Sequence, residues 1–133
     1  MRDPVDEARR WVQYAHWDMV DVQNNMQSDQ IPHPIVCFHC QQAAEKMLKA
    51  VLVFHGQPPP RTHDLTAILR RLEPLVGSVE DVLPHAAILN PFAVEVRYPA
   101  NAIEVGVSET EEARASSEAI FAWMREQFPM LFE

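Results

Sequence analysis

From Val5 to Met26 the apolar residues Val5, Ala8, Val12, Ala15, Met19, Val22 and Met26 fall at alternating steps of 3 and 4. That repeat marks one face of a helix, and a strand, whose faces alternate with period two, does not produce it. A helix carrying such a stripe needs other elements to bury it against. Asp3 ahead of Pro4 supplies an N-cap and a first-turn proline. The helix is expected to end near Ser28, before the turn DQIPHP.

The same period recurs down the chain. A second helix is predicted from Pro34 to about His55, with Cys37, Cys40, Ala44, Met47, Leu48, Val51 and Phe54 inward and Gly56 and Pro58–Pro60 as its stop. A third opens at Thr62 as N-cap and carries Leu65, Ile68, Leu69, Leu72 and Val76. A fourth covers Val79 to Val96 with Val82, Leu83, Ala86 and Leu89 inward. It is bent at Asn90-Pro91, or split there with Asn90 capping a new turn, because Pro91 has no N–H to give the preceding turn. Arg97-Tyr98-Pro99 ends it, since a residue before proline avoids helical angles. Ser108-Glu109-Thr110-Glu111 reads as a capping box opening a last helix, which carries Ala113, Ile120 and Met124 and ends near Phe128. The only alternating run, Ala93–Val96, is too short for a strand. The pattern predicts an all-α bundle of four to five helices in a single domain over residues 1–133.

At 133 residues the chain is long enough to bury about 70% of its unfolded surface, and a charged fraction of 23% is that of a globular protein. No apolar run approaches the roughly 18 residues needed to cross a bilayer. MRDPVDEARR has no apolar signal-peptide core, so the expected compartment is the cytoplasm. The net charge of −8 argues against a nucleic-acid coat, and its distribution is uneven. Residues 1–45 hold seven acids and three bases, and residues 98–133 hold seven acids and two bases. Residues 46–97 hold six bases against five acids, including both lysines, Lys46 and Lys49. An anion site is expected in that middle block.

Within the second helix Gln41, Glu45 and Lys49 follow at steps of 4, an order that suits a surface pair worth a few tenths of a kcal/mol. They form either a solvated edge or a polar cluster shared across helices or subunits. Phe38, Gln42, Glu45 and Lys49 also make one mixed stripe, suited to an isologous contact in which Glu45 of one chain meets Lys49 of the other. Thr62, His63 and Asp64 open a helix whose free N–H groups can receive an anion; the plainer reading is that Thr62 caps and Asp64 complements the dipole. The cysteines, Cys37 and Cys40, form a CxxC near a helix start. A redox site of this kind needs a βαβ context and a zinc site needs two further ligands, so both cysteines are read as core residues.

Three stretches together carry a resemblance: CFHCQQAAEKMLKAVLVFHG, then RTHDL, then NPFAVEVRYP. In order and spacing they resemble the HEPN domain family, over Ala8 to about Trp123. The resemblance implies an up-and-down bundle, usually a homodimer, associated with nucleotides or RNA and often working beside a small nucleotidyltransferase in toxin–antitoxin systems. Other members are metal-independent ribonucleases with an arginine and a histidine separated by four to six residues late in the bundle. Here the matching arginine is Arg97, and no histidine follows His85. Arg9 and Arg10 have that spacing to His16, but in the first helix. The expected function is therefore a nucleotide- or partner-binding subunit without catalysis, metal or cofactor. Its alternatives are a ribonuclease toxin, or an interaction module that binds no nucleotide. Arg97, at a helix end, is placed to grip a phosphate or carboxylate, with Tyr98 to stack on a base. Lys49, Thr62 and His63 are the further candidates for that site, and Gln41, Gln42, Glu45 and Lys49 for the polar cluster or dimer contact.

Overall fold

The computed structural model describes residues 3–94 and 104–133, and these form helices only, with no strand among them. They are α1 (Pro4–Met26), α2 (His33–Phe54), α3 (Leu65–Val76), α4 (Leu83–Leu89) continued by a 3-10 turn (Asn90–Phe92), α5 (Val107–Gln127) and a closing 3-10 turn (Pro129–Phe132). The predicted all-α bundle is what forms.

α1 begins where Asp3 places it. The Asp3 carboxylate accepts the Val5 N–H at 2.8 Å, and Pro4 occupies the first turn. Ala8, Val12, Ala15 and Val22 of its stripe are buried, with Met19 and Met26 packed at the margin. The connection over residues 27–32 is short, so α2 returns antiparallel along α1. Fully buried Ala8 and Ala15 on α1, with Ala43, Ala44 and Ala50 on α2, leave room for the close approach.

α2 is the axis of the molecule: α1, α3, α4 and α5 all pack against it. It is buried on nearly every side from Val36 to Leu52, rather than along one stripe. It ends at Phe54, where Gly56 takes φ +78° to turn the chain. Phe128 stacks edge-on against Phe54 and His55 at this end, with centroids 5.8 and 5.9 Å away, which draws the closing turn against the bundle. Each large core side chain, such as Leu48, Leu52, Leu69 and Ile120, contributes about 1.5–3 kcal/mol by leaving water.

Four predicted boundaries are corrected. α3 starts at Leu65 with Asp64, not Thr62, as its N-cap. α4 is confined to Leu83–Leu89 instead of starting at Val79, because Pro84 fits only the first turn of a helix. The chain does break at Asn90-Pro91, but the Asn90 side chain caps α3 and not its own turn. α5 opens at Val107 with Gly106 as N-cap, and Glu109 rather than Glu111 reaches back, accepting the Gly106 N–H at 3.4 Å. The spacing of the expected box survives two residues earlier, without the hydroxyl half.

Candidate functional site

Gln41, Glu45 and Lys49 lie on one face of α2, four residues apart, and the chain passing from α2 to α3 closes over them. Gln42 Nε2 donates to Gln41 Oε1 at 2.8 Å, and Gln41 Nε2 donates to the His63 carbonyl at 3.0 Å and to Glu45 Oε1 at 3.3 Å. His63 Nδ1 donates to Glu45 Oε1 at 2.9 Å, and Lys49 Nζ donates to Glu45 Oε2 at 2.9 Å. The side chains of Glu45 and Lys49 are only 6% and 7% exposed, whereas that of His63 is 62% exposed. A carboxylate so far from water must be paired and hydrogen-bonded, and here a lysine and two further donors do this. The Glu45–Lys49 pair forms within one chain, so exchanging it across a two-fold axis would require breaking it.

A second layer of the same network fixes the opening of α3. Thr62 Oγ1 accepts the Asp64 N–H at 3.1 Å. Asp64 Oδ1 accepts from the N–H groups of Thr66 and Ala67 at 3.0 and 3.3 Å, and the Asp64 carbonyl accepts from Ile68 N–H at 3.1 Å. The remaining first-turn donor, Leu65 N–H, is taken by Asn90 Oδ1 at 2.8 Å. Asn90 Nδ2 in turn donates to Asp64 Oδ1 at 3.1 Å and to Thr66 Oγ1 at 3.2 Å. The N–H groups of Asp64, Leu65, Thr66 and Ala67 are thereby all taken by acceptors within the chain, as in the plainer, capping reading of this helix start. Asn90 is not among the site residues expected from sequence; its place in NPF, at the one break in the fourth helix, is the available signal.

The three stretches that carry the resemblance thus meet: Gln41, Glu45 and Lys49 from the first, His63 and Asp64 from the second, and Asn90 from the third. Arg97 and Tyr98 lie outside the described residues. Lys49, expected among the anion ligands, has its charge matched by Glu45, whereas the His63 ring of the same network is largely open to solvent.

On the opposite flank a second polar cluster joins α1 to α2. Lys46 Nζ donates to Asp18 Oδ2 at 2.6 Å, while His39 sets Nδ1 3.0 Å from Asp18 Oδ1 and Nε2 3.2 Å from Asp21 Oδ2. Carboxylates only accept, so both contacts are hydrogen bonds only when both ring nitrogens carry protons. Sequence reading missed this cluster, although Asp18 and Asp21 at i, i+3 are a visible interruption of α1. Cys37 and Cys40 are fully buried; burial raises the thiol pKa of Cys37 and pushes that of Cys40 up to about 12, so neither supplies a thiolate. Among the described residues no group of three or more His, Cys, Asp or Glu side chains is placed to hold a metal ion. No helix among them is long and apolar enough to cross a membrane.

Comparison with known proteins agrees with this fold. The HEPN domain family model matches residues 8–127, which contain every residue of both clusters. The chain is similar to the crystal structure of TT1696 from Thermus thermophilus, with a TM-score of 0.78 and 27% identity, covering 91% of this chain and 98% of that one. No curated protein matches it.

Proposed function

Because the chain belongs to the HEPN domain family, we propose that it is a single-domain, non-catalytic binding subunit that pairs with itself and with a small nucleotidyltransferase in the cytoplasm, as one half of a toxin–antitoxin system. The observation that carries this reading is the internal commitment of the charged groups in QQAAEK. Glu45 is bound by Lys49, His63 and Gln41, and Lys46 by Asp18, so the segment builds the bundle and offers its charges to no substrate. Arg97 and Tyr98 are the proposed contacts for a nucleotide, with the exposed His63 ring as a third. The test is a nucleotide titration followed by thermal shift, since a ligand that binds only the folded chain raises its melting temperature. Stabilisation of the wild type that Arg97→Ala abolishes is expected. No shift in the wild type would favour an interaction module that binds no nucleotide.

Self-association is assigned to the outer face of α1, where Tyr14 and Trp17 are 58% and 54% exposed and stack edge to face with centroids 5.2 Å apart. A hollow of about 290 Å³ lined by Arg10, Trp11, Tyr14 and Lys46 lies beside them. In an antiparallel α1–α1 contact centred between Tyr14 and Trp17, each Trp17 meets Tyr14 and the hollow of the other copy, which is the self-complementarity a two-fold contact needs.

One observation favours the ribonuclease reading instead. The His63 Nδ1–H is held by a buried carboxylate, which leaves Nε2 uncommitted among the described residues, the arrangement of an oriented general base. Metal-free cleavage of RNA that is lost in His63→Gln would establish that reading over the first.

A further inference from the structure

Two guanidinium groups and an imidazole line a groove between α1 and α5 that is separate from both polar clusters. Arg9 and His16 stand two turns apart on the same side of α1, and Arg125 faces them from the last turn of α5. Together they line a cavity of about 400 Å³ whose apolar wall includes Phe121 and Phe132. The chain's net charge is −8, yet among the described residues only one acid, Glu133, lines this cavity.

The arginines are held but not neutralised. Arg9 Nε donates to the Met130 carbonyl at 3.0 Å, which aims the guanidinium along the groove. Among the described residues its one carboxylate partner, Glu133, is 3.8 Å away on a side chain that is 72% exposed, a contact of the weak surface kind. Arg125 makes no ion pair among the described residues; its Cζ lies 4.9 Å from the centroid of the Phe132 ring, a cation–π contact. A second hollow of about 320 Å³ shares His16, Phe121 and Arg125 and continues the groove past Met19 and Val20, with the acid Glu118 also on its wall, so the anion is placed at the Arg9 end.

We infer that this groove binds a small phosphate monoester carrying an aromatic or apolar body. Two guanidinium forks and an imidazole suit a doubly charged oxyanion, because each fork can give two parallel N–H bonds. The phosphate sits between Arg9, His16 and Arg125, and the organic part lies against Phe121, Phe132 and the Met19 side of the groove. The volume falls in the range of small-molecule sites, roughly 300–1,000 Å³, which favours a compact ligand over a polymer. The acidic balance of the remaining surface makes the approach local: an anion gains only where the two guanidinium charges outweigh the chain's net charge.

The experiment is calorimetric titration of the full chain with phenyl phosphate, with inorganic phosphate as a second probe. Saturable binding of phenyl phosphate is expected, with weaker binding of inorganic phosphate. Arg9→Gln and Arg125→Gln should each weaken phenyl phosphate by roughly ten- to a hundredfold, the loss of a charge-assisted contact. Arg9→Gln is the decisive variant, because its partners among the described residues are a backbone carbonyl and the exposed Glu133, so the fold is expected to survive. Absence of saturable binding, or unchanged affinity in Arg9→Gln, would overturn the site. Equal affinity for the two probes would overturn the role given to the apolar wall. Tighter binding of a 5′-phosphorylated oligonucleotide than of phenyl phosphate would overturn the small-molecule reading.

Discussion

Glu45 accepts three hydrogen bonds from side chains of three kinds, an ammonium, an imidazole and an amide, while its own side chain is only 6% exposed. Desolvating this ion and Lys49 costs several kcal/mol each, and their mutual attraction offsets that cost only while both are present. Removing Lys49 therefore does more harm than the pair does good. Lys49→Met is expected to destabilise the fold by about 3–5 kcal/mol, a large part of the ~5–15 kcal/mol that holds a domain of this size. Adding Glu45→Gln to Lys49→Met should recover part of that loss, since the amide oxygen still accepts from His63 and no charge stays buried. Urea unfolding of the two single variants and the double variant measures this. A Lys49→Met cost below about 1 kcal/mol would mean that the pair behaves as an exposed one.

At the scale of the element, the opening of α3 depends on a residue 25 positions beyond it. Asn90→Ala removes the acceptor of the Leu65 N–H and a donor to Asp64, and Asp64→Ala removes the acceptor of Thr66 and Ala67. Each is expected to cost about 1–2 kcal/mol, the worth of a helix cap or a satisfied buried group. Because the two side chains touch, the double variant should cost less than the sum, with a coupling of at least about 0.5 kcal/mol in a denaturation cycle. Strict additivity would place Asn90 outside the cap. This long reach explains what the sequence could and could not reveal. The 3-4 stripe and the Asp3-Pro4 cap are local patterns, and α1 formed where they put it. Thr62 and Asp64 are both sound caps by local chemistry, and only the distant Asn90 decides between them. The stripe on α2 was legible, but its internal position was not. Gln41, Glu45 and Lys49 read either as a solvated edge or as a cluster shared across helices, and it is the chain leading into α3, through His63, that closes over them. Ala43, Ala44 and Ala50, all fully buried, were the hint that α2 is packed from several sides.

For the whole molecule, packing around α2 leaves few large apolar side chains outside. Tyr14, Trp17 and Val20 are exposed within two turns of α1, whereas Val94, Val107 and Met130 lie on other elements. Two adjacent aromatic rings in water lose the stabilisation that burial of their apolar area would give, about 25 cal/mol per Å². A two-fold contact recovers it on both copies at once, which is why the α1 face is assigned to self-association while the buried Glu45 and Lys49 are not. The expectation is a dimer by sedimentation equilibrium at micromolar concentration. Trp17→Arg should convert it to a monomer, because the new guanidinium of each copy would enter a hollow already lined by Arg10 and Lys46 of the other. Trp17 is more than half exposed in the single chain, so the same substitution should change the unfolding free energy of the monomer itself, apart from association, by no more than about 0.5 kcal/mol. A Trp17→Arg protein that remains a dimer would move the interface off α1, and a wild type that sediments as a monomer would remove it.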